Sequence, residues 1–128
     1  MNILILDDDV IRQDAFDKAF VDNPSCVVWH AFTAEKAIDW LSKNQFDLIL
    51  LDHDLGTART GKDVVRFLIE NKQNAQIIVH SWNVAMAREM WADLSRAGYS
   101  VLRVTFGVEL IRKLYDIRYG TNLMESAK

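Results

Sequence analysis

Hydrophobic residues along this chain follow two alternating patterns, short continuous runs and runs with helical spacing. The continuous runs are aliphatic and bounded by polar residues, which is typical of strands that are buried on both faces. They predict five strands, at residues 2–6, 26–29, 47–51, 76–80 and 100–104. Between the runs, apolar residues recur at i, i+3, i+4 and i+7, as in Ala34, Ala37, Ile38 and Leu41. This spacing predicts helices in the gaps, the last of them over residues 108–119.

Strict alternation of strand and helix with short connections requires right-handed crossovers, and hence a parallel sheet with helices on both faces. For five strands, the frequent order is the flavodoxin-like 2-1-3-4-5. We therefore predict a single doubly wound α/β domain over residues 1–128. In that order the carboxyl ends of strands 1, 3 and 4 meet where such folds bind ligands. The loops after these three strands are the places to look for chemistry.

Composition narrows the classes of function without choosing one. The 128 residues are 50% hydrophobic and carry a formal net charge of -3, so no overall basic field favours duplex nucleic acid. The single cysteine cannot form an internal disulfide, and no apolar run approaches the roughly 20 residues that span a bilayer. These features predict a cytoplasmic protein without a membrane partner, and they leave its oligomeric state open.

Acidic and imidazole side chains are concentrated directly after the three central strands: Asp7, Asp8 and Asp9, then Asp52, His53 and Asp54, then His80, Ser81 and Asn83. Carboxylates crowded together raise one another's pKa unless a cation or hydrogen-bond donors intervene. Mg²⁺ suits such a cluster because it takes one or two carboxylates and keeps waters that can contact a phosphate.

Within this cluster, Asp8 and Asp52 are the best-placed metal ligands, with Asp7 beside them. The alternative for Asp8 is a role at the start of the first helix, and Asp9 is better explained as the N-cap of that helix. For Asp54, a solvated turn residue and a site residue are equally good interpretations.

The histidines His53 and His80 follow adjacent strands and could reach one phosphate between them, one as base and the other as acid. The alternative for each is a structural histidine with satisfied hydrogen bonds. If the fourth strand stays extended, neighbouring His80 and Ser81 point to opposite faces, so only one of them would face the site.

The polar loop at residues 56–61 ends at a helix start, and backbone N–H groups there could bind an anion, with Gly61 supplying close packing or a special backbone angle. Three arginines, Arg12, Arg59 and Arg88, are candidate phosphate contacts, although each is individually better explained as a solvated side chain. No nucleotide-binding P-loop, dinucleotide fingerprint, zinc-ligand spacing or nucleophile elbow occurs.

At these residues the chain resembles the receiver domains of response regulators: Leu6-Asp7-Asp8, then a strand ending in Asp52, then a strand ending in Ser81. In that family the first two acidic positions hold Mg²⁺ and the third accepts a phosphoryl group. The lysine that the family has at the end of its fifth strand is missing here, where residues 101–107 read VLRVTFG.

Three further segments are similar to a narrower family, the cyclic-phosphate processing receiver-like domains: LDHDLG at residues 51–56, TGKDV at 60–64 and VHSWN at 79–83. The resemblance implies a receiver-type fold and a site formed by Asp7, Asp8, Asp52, His53, Asp54, His80, Ser81 and Asn83. The chain departs from the family at Val84 and Met86, which replace a proline and a glycine, and its arginine after the acidic pair is displaced to Arg12.

The leading hypothesis is that the protein is a phosphodiesterase that opens a cyclic phosphate. The substrate would be a cyclic nucleotide, a cyclic oligonucleotide or a 2′,3′-cyclic phosphate end. The proposed catalytic residues are His53, His80 and Asp52; the proposed substrate contacts are Asp54, Ser81, Asn83, Gly61 and Arg12; the proposed Mg²⁺ ligands are Asp7, Asp8 and Asp52. Two alternatives remain: a receiver phosphorylated on Asp52, and a receiver-like module that binds without catalysis.

Overall fold

The predicted sheet order is confirmed by the computed structural model, which describes residues 1–117 and has five parallel strands in the order β2-β1-β3-β4-β5. The strands are β1 (Asn2–Leu6), β2 (Val27–Ala31), β3 (Leu48–Leu51), β4 (Gln76–Val79) and β5 (Ser100–Arg103). The helices are α1 (Val10–Phe20), α2 (Ala34–Lys43), α3 (Gly61–Glu70), α4 (Val84–Arg96) and α5 (Val108–Ile117). The last two residues of the predicted final helix, 118 and 119, lie outside the described residues.

The largest difference from the predicted strands is in β2, which begins one residue later and ends two residues later than expected. This strand lies at the edge of the sheet and is only partly buried. An edge strand accommodates polar side chains, so His30 interrupts the aliphatic pattern without interrupting the pairing, and it pairs with Ile5 of β1. Hydrophobic runs therefore locate central strands better than edge strands.

The sheet separates two hydrophobic cores, because alternate residues of each strand face opposite sides. Leu4 and Leu6 of β1 face one core, which includes buried residues of α2, α3 and α4. Ile3 and Ile5 face the other, which α1 and α5 cover. In residues 1–117, no helix has the length and apolar character needed to cross a bilayer.

Helix ends follow local side-chain chemistry closely. Asp9 caps α1 by accepting hydrogen bonds from the N–H groups of Ile11 and Arg12, and Thr33 caps α2 in the same manner. Asn83 caps α4 through the N–H of Met86, and Gly98 beyond its end has a positive φ of 97°. The predicted role of Asp9 as the N-cap of α1 is confirmed.

Gly61 fixes the distance between α3 and the end of β3. Its N–H donates a hydrogen bond to the carbonyl oxygen of His53, and a Cβ at this position would lie 2.0 Å from the Asp52 backbone oxygen and 2.8 Å from Cε of Met90. The missing side chain thus allows a helix start to press against the strand end that carries Asp52.

We expect Gly61→Ala to lower the free energy of unfolding by roughly 2 kcal/mol or more, because the methyl group forces backbone to move. Gly107→Ala is the matched control, since a Cβ there meets nothing within 4 Å, and we expect a change below about 1 kcal/mol. Urea unfolding of the three proteins measures both effects. Equal stability of the two variants would contradict the close contact.

Candidate functional site

Three side chains form a row across the carboxyl ends of the central strands. Asp7, Asp52 and His80 each follow the last residue of β1, β3 and β4, and these last residues are in register with one another. The ladder continues one step, because the N–H of Asp52 donates to Leu6 and the N–H of His80 donates to Leu51. Ligand atoms of the three side chains lie within 4.8 Å of one another. The register of the sheet therefore assembles this cluster.

Asp7 is a buried carboxylate whose hydrogen-bonding capacity is filled. Its Oδ1 accepts from Nη2 of Arg12 at 2.9 Å and from the N–H of Asp9 at 2.9 Å. Its Oδ2 accepts from Nε of Arg12 at 2.8 Å and from Nε2 of His80 at 3.0 Å. Burial alone raises the pKa of Asp7, but the bonds from His80, Arg12 and the Asp9 N–H outweigh it and lower the pKa to about 2.

Arg12 is the cation at the centre of the acidic cluster. Besides its two bonds to Asp7, the guanidinium lies 3.6 Å from Asp8, 3.5 Å from Asp9 and 3.7 Å from Asp52. The hydrogen bond to Asp7 is the main cause of a raised pKa for Arg12. One positive charge faces four carboxylates, so the cluster keeps an excess of negative charge.

Asp52 lies in the row beside Asp7 but has a different environment. Burial is the main cause of its raised pKa, and the charge of Asp7 adds to it. The N–H of His53 donates to its Oδ1 at 2.8 Å, and this bond and the nearby hydroxyl of Ser81 lower the pKa in part. Within residues 1–117, its Oδ2 is approached only by the guanidinium of Arg12, at 3.7 Å, which leaves room for another ligand.

The cluster fits a divalent cation in its charge and in part of its donor set. Asp7 has no unused lone pair, because a carboxylate has about four acceptor positions and all are occupied. Asp8 and Asp52 retain unused oxygens and approach the same nitrogen of Arg12. Carboxylate oxygens of this kind are the ligands Mg²⁺ prefers. Mg²⁺ would therefore be held by Asp8 and Asp52, with Asp7 orienting Arg12.

His80 is enclosed on the α1 side of the sheet and is only 1% exposed. Its Nε2 is bonded to Asp7, and its ring packs edge-on against Phe16 with centroids 5.0 Å apart. Nδ1 of His80 is buried and has no hydrogen-bond partner within residues 1–117. This ring supports Asp7 from within the core and has no open path to a substrate.

Ser81 and His80 reach the cluster from opposite sides of the sheet. Ser81 lies beside Val84 and Ala87 of α4, whereas His80 packs on α1. The alternation of the strand thus continues past the end of β4, as the parity of an extended chain requires. Both side chains nevertheless act on an aspartate of the row, because His80 bonds to Asp7 and the Ser81 hydroxyl lowers the pKa of Asp52.

His53 forms a second group at the rim of the site. It is 9% exposed, and its Nδ1 donates to Oδ1 of Asp54 at 2.5 Å. Nδ2 of Asn83 donates to the same oxygen at 3.4 Å. The hydrogen bond from His53 is the main cause of a lowered pKa for Asp54. Within residues 1–117, no hydrogen bond joins the imidazoles of His53 and His80.

The other candidate phosphate contacts, Gly61, Arg59 and Arg88, have neighbours outside the row of aspartates. Gly61 uses its N–H on His53, so that group is not free for an anion. Arg59 lies 3.7 Å from Glu35, and Arg88 lines a cavity with Trp91 against β5. In the part of the chain that the structure describes, neither of these arginines forms an ion pair or hydrogen bond with Asp7 or Asp52.

Two cavities adjoin opposite ends of the strands. The larger, about 500 Å³, lies at the amino ends beside Asp47 and Gln76, far from the acidic cluster. The smaller, about 280 Å³, is a groove that includes Ser81, Arg103 at the end of β5, and residues 104 and 105 after it. The sequence pattern pointed to the loops after β1, β3 and β4 and not to this groove; polar Arg103 and Thr105, at and just beyond the end of the fifth predicted strand, were the available signal.

The fold is similar to that of response-regulator receiver domains. A CheY-like receiver domain from Methanospirillum hungatei has a TM-score of 0.73 at 19% identity, covering 98% of this chain and 97% of that chain. A signal receiver domain of a putative LuxO repressor protein from Vibrio parahaemolyticus has a TM-score of 0.70 at 18% identity, covering 98% and 95%. A Burkholderia pseudomallei response regulator, solved with a phosphorylated aspartic acid, calcium ion and citrate, has 0.69 at 20%, covering 98% and 70%.

At these identities the likeness shows the fold alone, and this chain therefore has the receiver fold. Its sequence also matches the family model of the cyclic-phosphate processing receiver domain over residues 2–96. That span is most of the chain and contains every strand-end residue of the acidic cluster, so the chain belongs to this family. The predicted resemblance is confirmed. No curated protein is similar enough to count as a relative.

The bonds to Asp7 predict acid sensitivity. Its pKa is about 2 when folded against 3.8 for the free side chain, so the folded state is favoured above pH 3.8 and loses this advantage as the pH falls towards 2. The loss is about 2 kcal/mol. Urea unfolding of the wild type between pH 5 and pH 2 measures it.

Asp7→Asn should lack this component of the pH dependence, whereas Asp14→Asn, which removes an exposed carboxylate from α1, should keep it. Arg12→Gln is a second test, because it removes two of the four bonds to Asp7 and should reduce the component without neutralising the carboxylate. The same slope in the wild type and Asp7→Asn would contradict the assignment.

Proposed function

We propose that this protein hydrolyses a cyclic phosphate, with His53 as the general base. The observation that carries the proposal is the His53–Asp54 pair at the rim, 2.5 Å apart, next to an acidic cluster that contains one arginine. Membership of the cyclic-phosphate processing family supports the choice of substrate. The family is named for cyclic-phosphate processing, and we infer the hydrolytic activity of this chain from that name together with the His53–Asp54 pair.

In this proposal, the hydrogen bond between His53 and Asp54 orients the imidazole of His53 as the general base for a water molecule. Because Nδ1 of His53 donates to Asp54, Nε2 is left as the acceptor, and the carboxylate favours the imidazolium that forms when a proton arrives. Asn83 holds Asp54 from the other side, and the exposed position of Asp54 keeps the pair in contact with solvent. His53 Nε2 would take the proton of an attacking water as that water adds to phosphorus.

The other residues stabilise charge and position. Arg12 is partly exposed, and Asp7, itself bonded to the buried His80, holds its Nε and Nη2 in place. Nη1, which does not bond to Asp7, can donate to a phosphate oxygen. His80 acts in this proposal as a positioning residue, since it is enclosed by Asp7 and Phe16. The oxygen that leaves phosphorus therefore takes its proton from solvent water at the open rim.

Mg²⁺ bound by Asp8 and Asp52 would supply charge neutralisation and polarise a phosphate oxygen. This contribution matters because a phosphodiester is an anion and the cluster is already negative.

A receiver function is the second candidate, favoured by the position of Asp52 at the end of β3 in a receiver fold. Two observations make it weaker. Residues 101–107, at the end of β5, contain no lysine, and Arg103 lies at the groove rather than in contact with Asp52. His53 donates its backbone N–H to Asp52 and its side chain to Asp54, which gives this corner an acid–base pair next to the acceptor position.

We expect His53→Ala to lower kcat for a cyclic phosphate by roughly 10²–10⁴ while the fold survives. His30→Ala is the matched control, because His30 lies on β2 and bonds Asp17 and Gln13 instead. A panel of 2′,3′- and 3′,5′-cyclic nucleotides, assayed by phosphate-ester chromatography, measures the effect. Full activity of His53→Ala would remove this residue from the mechanism.

The same panel separates the two candidate functions when it is combined with acetyl phosphate and intact-protein mass spectrometry. We expect no stable adduct on Asp52. A stoichiometric Asp52 phosphoryl adduct, with every cyclic phosphate left intact, would favour the receiver and overturn the hydrolase.

We expect Asp8→Asn to raise the Mg²⁺ concentration needed for half-maximal activity about tenfold or more, because it removes a charged oxygen ligand. Asp9→Asn is the control: asparagine is an equally good N-cap, so α1 and the Mg²⁺ requirement should be retained. EDTA should suppress wild-type activity. Activity that is insensitive to EDTA would assign the carboxylates to orienting Arg12 alone.

A further inference from the structure

We propose that the groove beside Ser81 binds the base of the substrate, which makes the substrate a nucleoside cyclic phosphate. This inference rests on the proposed hydrolase function and specifies its substrate class. The groove lies between the start of α4 and the loop after β5, and its volume is about 280 Å³. It is lined by Ser81, Val84, Ala87, Arg103, Val104, Thr105 and Glu109.

The groove is continuous with the acidic cluster through Ser81. This residue lines the groove, and its hydroxyl accepts a hydrogen bond from the N–H of Asn83, whose side chain donates to Asp54 at the rim. A phosphate held at the rim beside Asp52 and His53 therefore has its remaining substituents one side chain away from the groove. The sugar would connect the two positions, with the reacting phosphate at one end and the base at the other.

The chemistry of the lining fits a nucleobase better than a second phosphate. Val84, Ala87 and Val104 supply apolar contacts suited to a flat ring. Arg103 and Glu109 carry opposite charges, and neither forms an ion pair within residues 1–117, so Arg103 can donate to acceptors and Glu109 can accept from donors on the edge of a base. The groove has no net charge, which matches an uncharged base.

The size of the groove limits the ligand. Pockets for drug-sized ligands are roughly 300–1,000 Å³, and this groove lies just below that range. One base fits this volume, whereas a second nucleotide of a cyclic oligonucleotide would extend into solvent.

Most of the polar lining lies beyond the family match, which ends at residue 96. Arg103, Thr105 and Glu109 therefore belong to a part of this chain that the family pattern does not describe.

The test compares kcat/KM for the cyclic nucleotides of all four bases with that for the cyclic phosphate of methyl riboside, which has no base. We expect the best nucleotide to exceed the base-free compound at least tenfold. Val84→Phe should lower that ratio about tenfold, because the larger ring fills the groove from an exposed position, 60% exposed in the wild type. Glu109→Gln and Arg103→Gln should each lower the ratio for at least one base.

Val108→Phe is the matched control, an equally large change at an exposed valine, 76% exposed, that does not line the groove. It should leave the ratio within about twofold of the wild type. If all substrates including the base-free one are hydrolysed equally, and Val84→Phe changes nothing, the hydrolase function stands and the base site is wrong.

A second measurement keeps the two proposals separate. Nucleoside monophosphates titrated into ¹⁵N-labelled protein should shift the amide signals of Val84, Thr105 and Glu109, with smaller shifts in Val84→Phe. If these shifts occur and no cyclic phosphate is hydrolysed, the base site stands and the hydrolase function fails. If ribose 5-phosphate produces the same shifts, the groove recognises no base and the inference is overturned.

Discussion

The buried carboxylate of Asp7 is the constraint on which the rest of the site depends. A charge removed from water at the end of a central strand is costly unless donors surround it. Arg12, His80 and the N–H of Asp9 supply four bonds between them. These bonds fix two elements: those from Arg12 and Asp9 fix the start of α1, and that from His80 fixes the end of β4. The same bonds that offset the burial of Asp7 therefore join the sheet to its first helix.

This arrangement divides the polar residues into two groups with different tasks. The inner group is enclosed and has little exchange with solvent; it holds Arg12 and sets the electrostatics beside Asp52. The outer group, His53 with Asp54, lies at the rim, where the Asp54 carboxylate is exposed to solvent. The two histidines therefore differ in their surroundings, since His80 is a buried donor to Asp7 and His53 is paired with an exposed carboxylate. A mechanism that uses both rings as equivalent acid and base does not fit their unequal surroundings.

Local sequence signals predicted which residues lie together at the strand ends. They did not predict that His80 is enclosed while His53 lies at the rim. The carboxylates after two aliphatic strands were predicted correctly as neighbours, because parallel strands that end together must bring their next residues together. The cap role of Asp9 also followed from its position before α1. The enclosure of His80 by Phe16 was not predictable, because the two residues lie on different elements and meet only when α1 packs on the sheet.

The sequence by itself determined the receiver fold, its strand order and the identity of the residues at the strand ends, because hydrophobic periodicity and strict βα alternation leave few topologies. It also identified the acidic cluster, since that depends on strand register alone. Only the tertiary structure decided that Asp7 has no free lone pair and that Arg12 occupies the centre of the cluster. It also decided that a groove adjoins Ser81. These features depend on distances between side chains from separate helices and strands, and such distances are set by packing rather than by any local pattern.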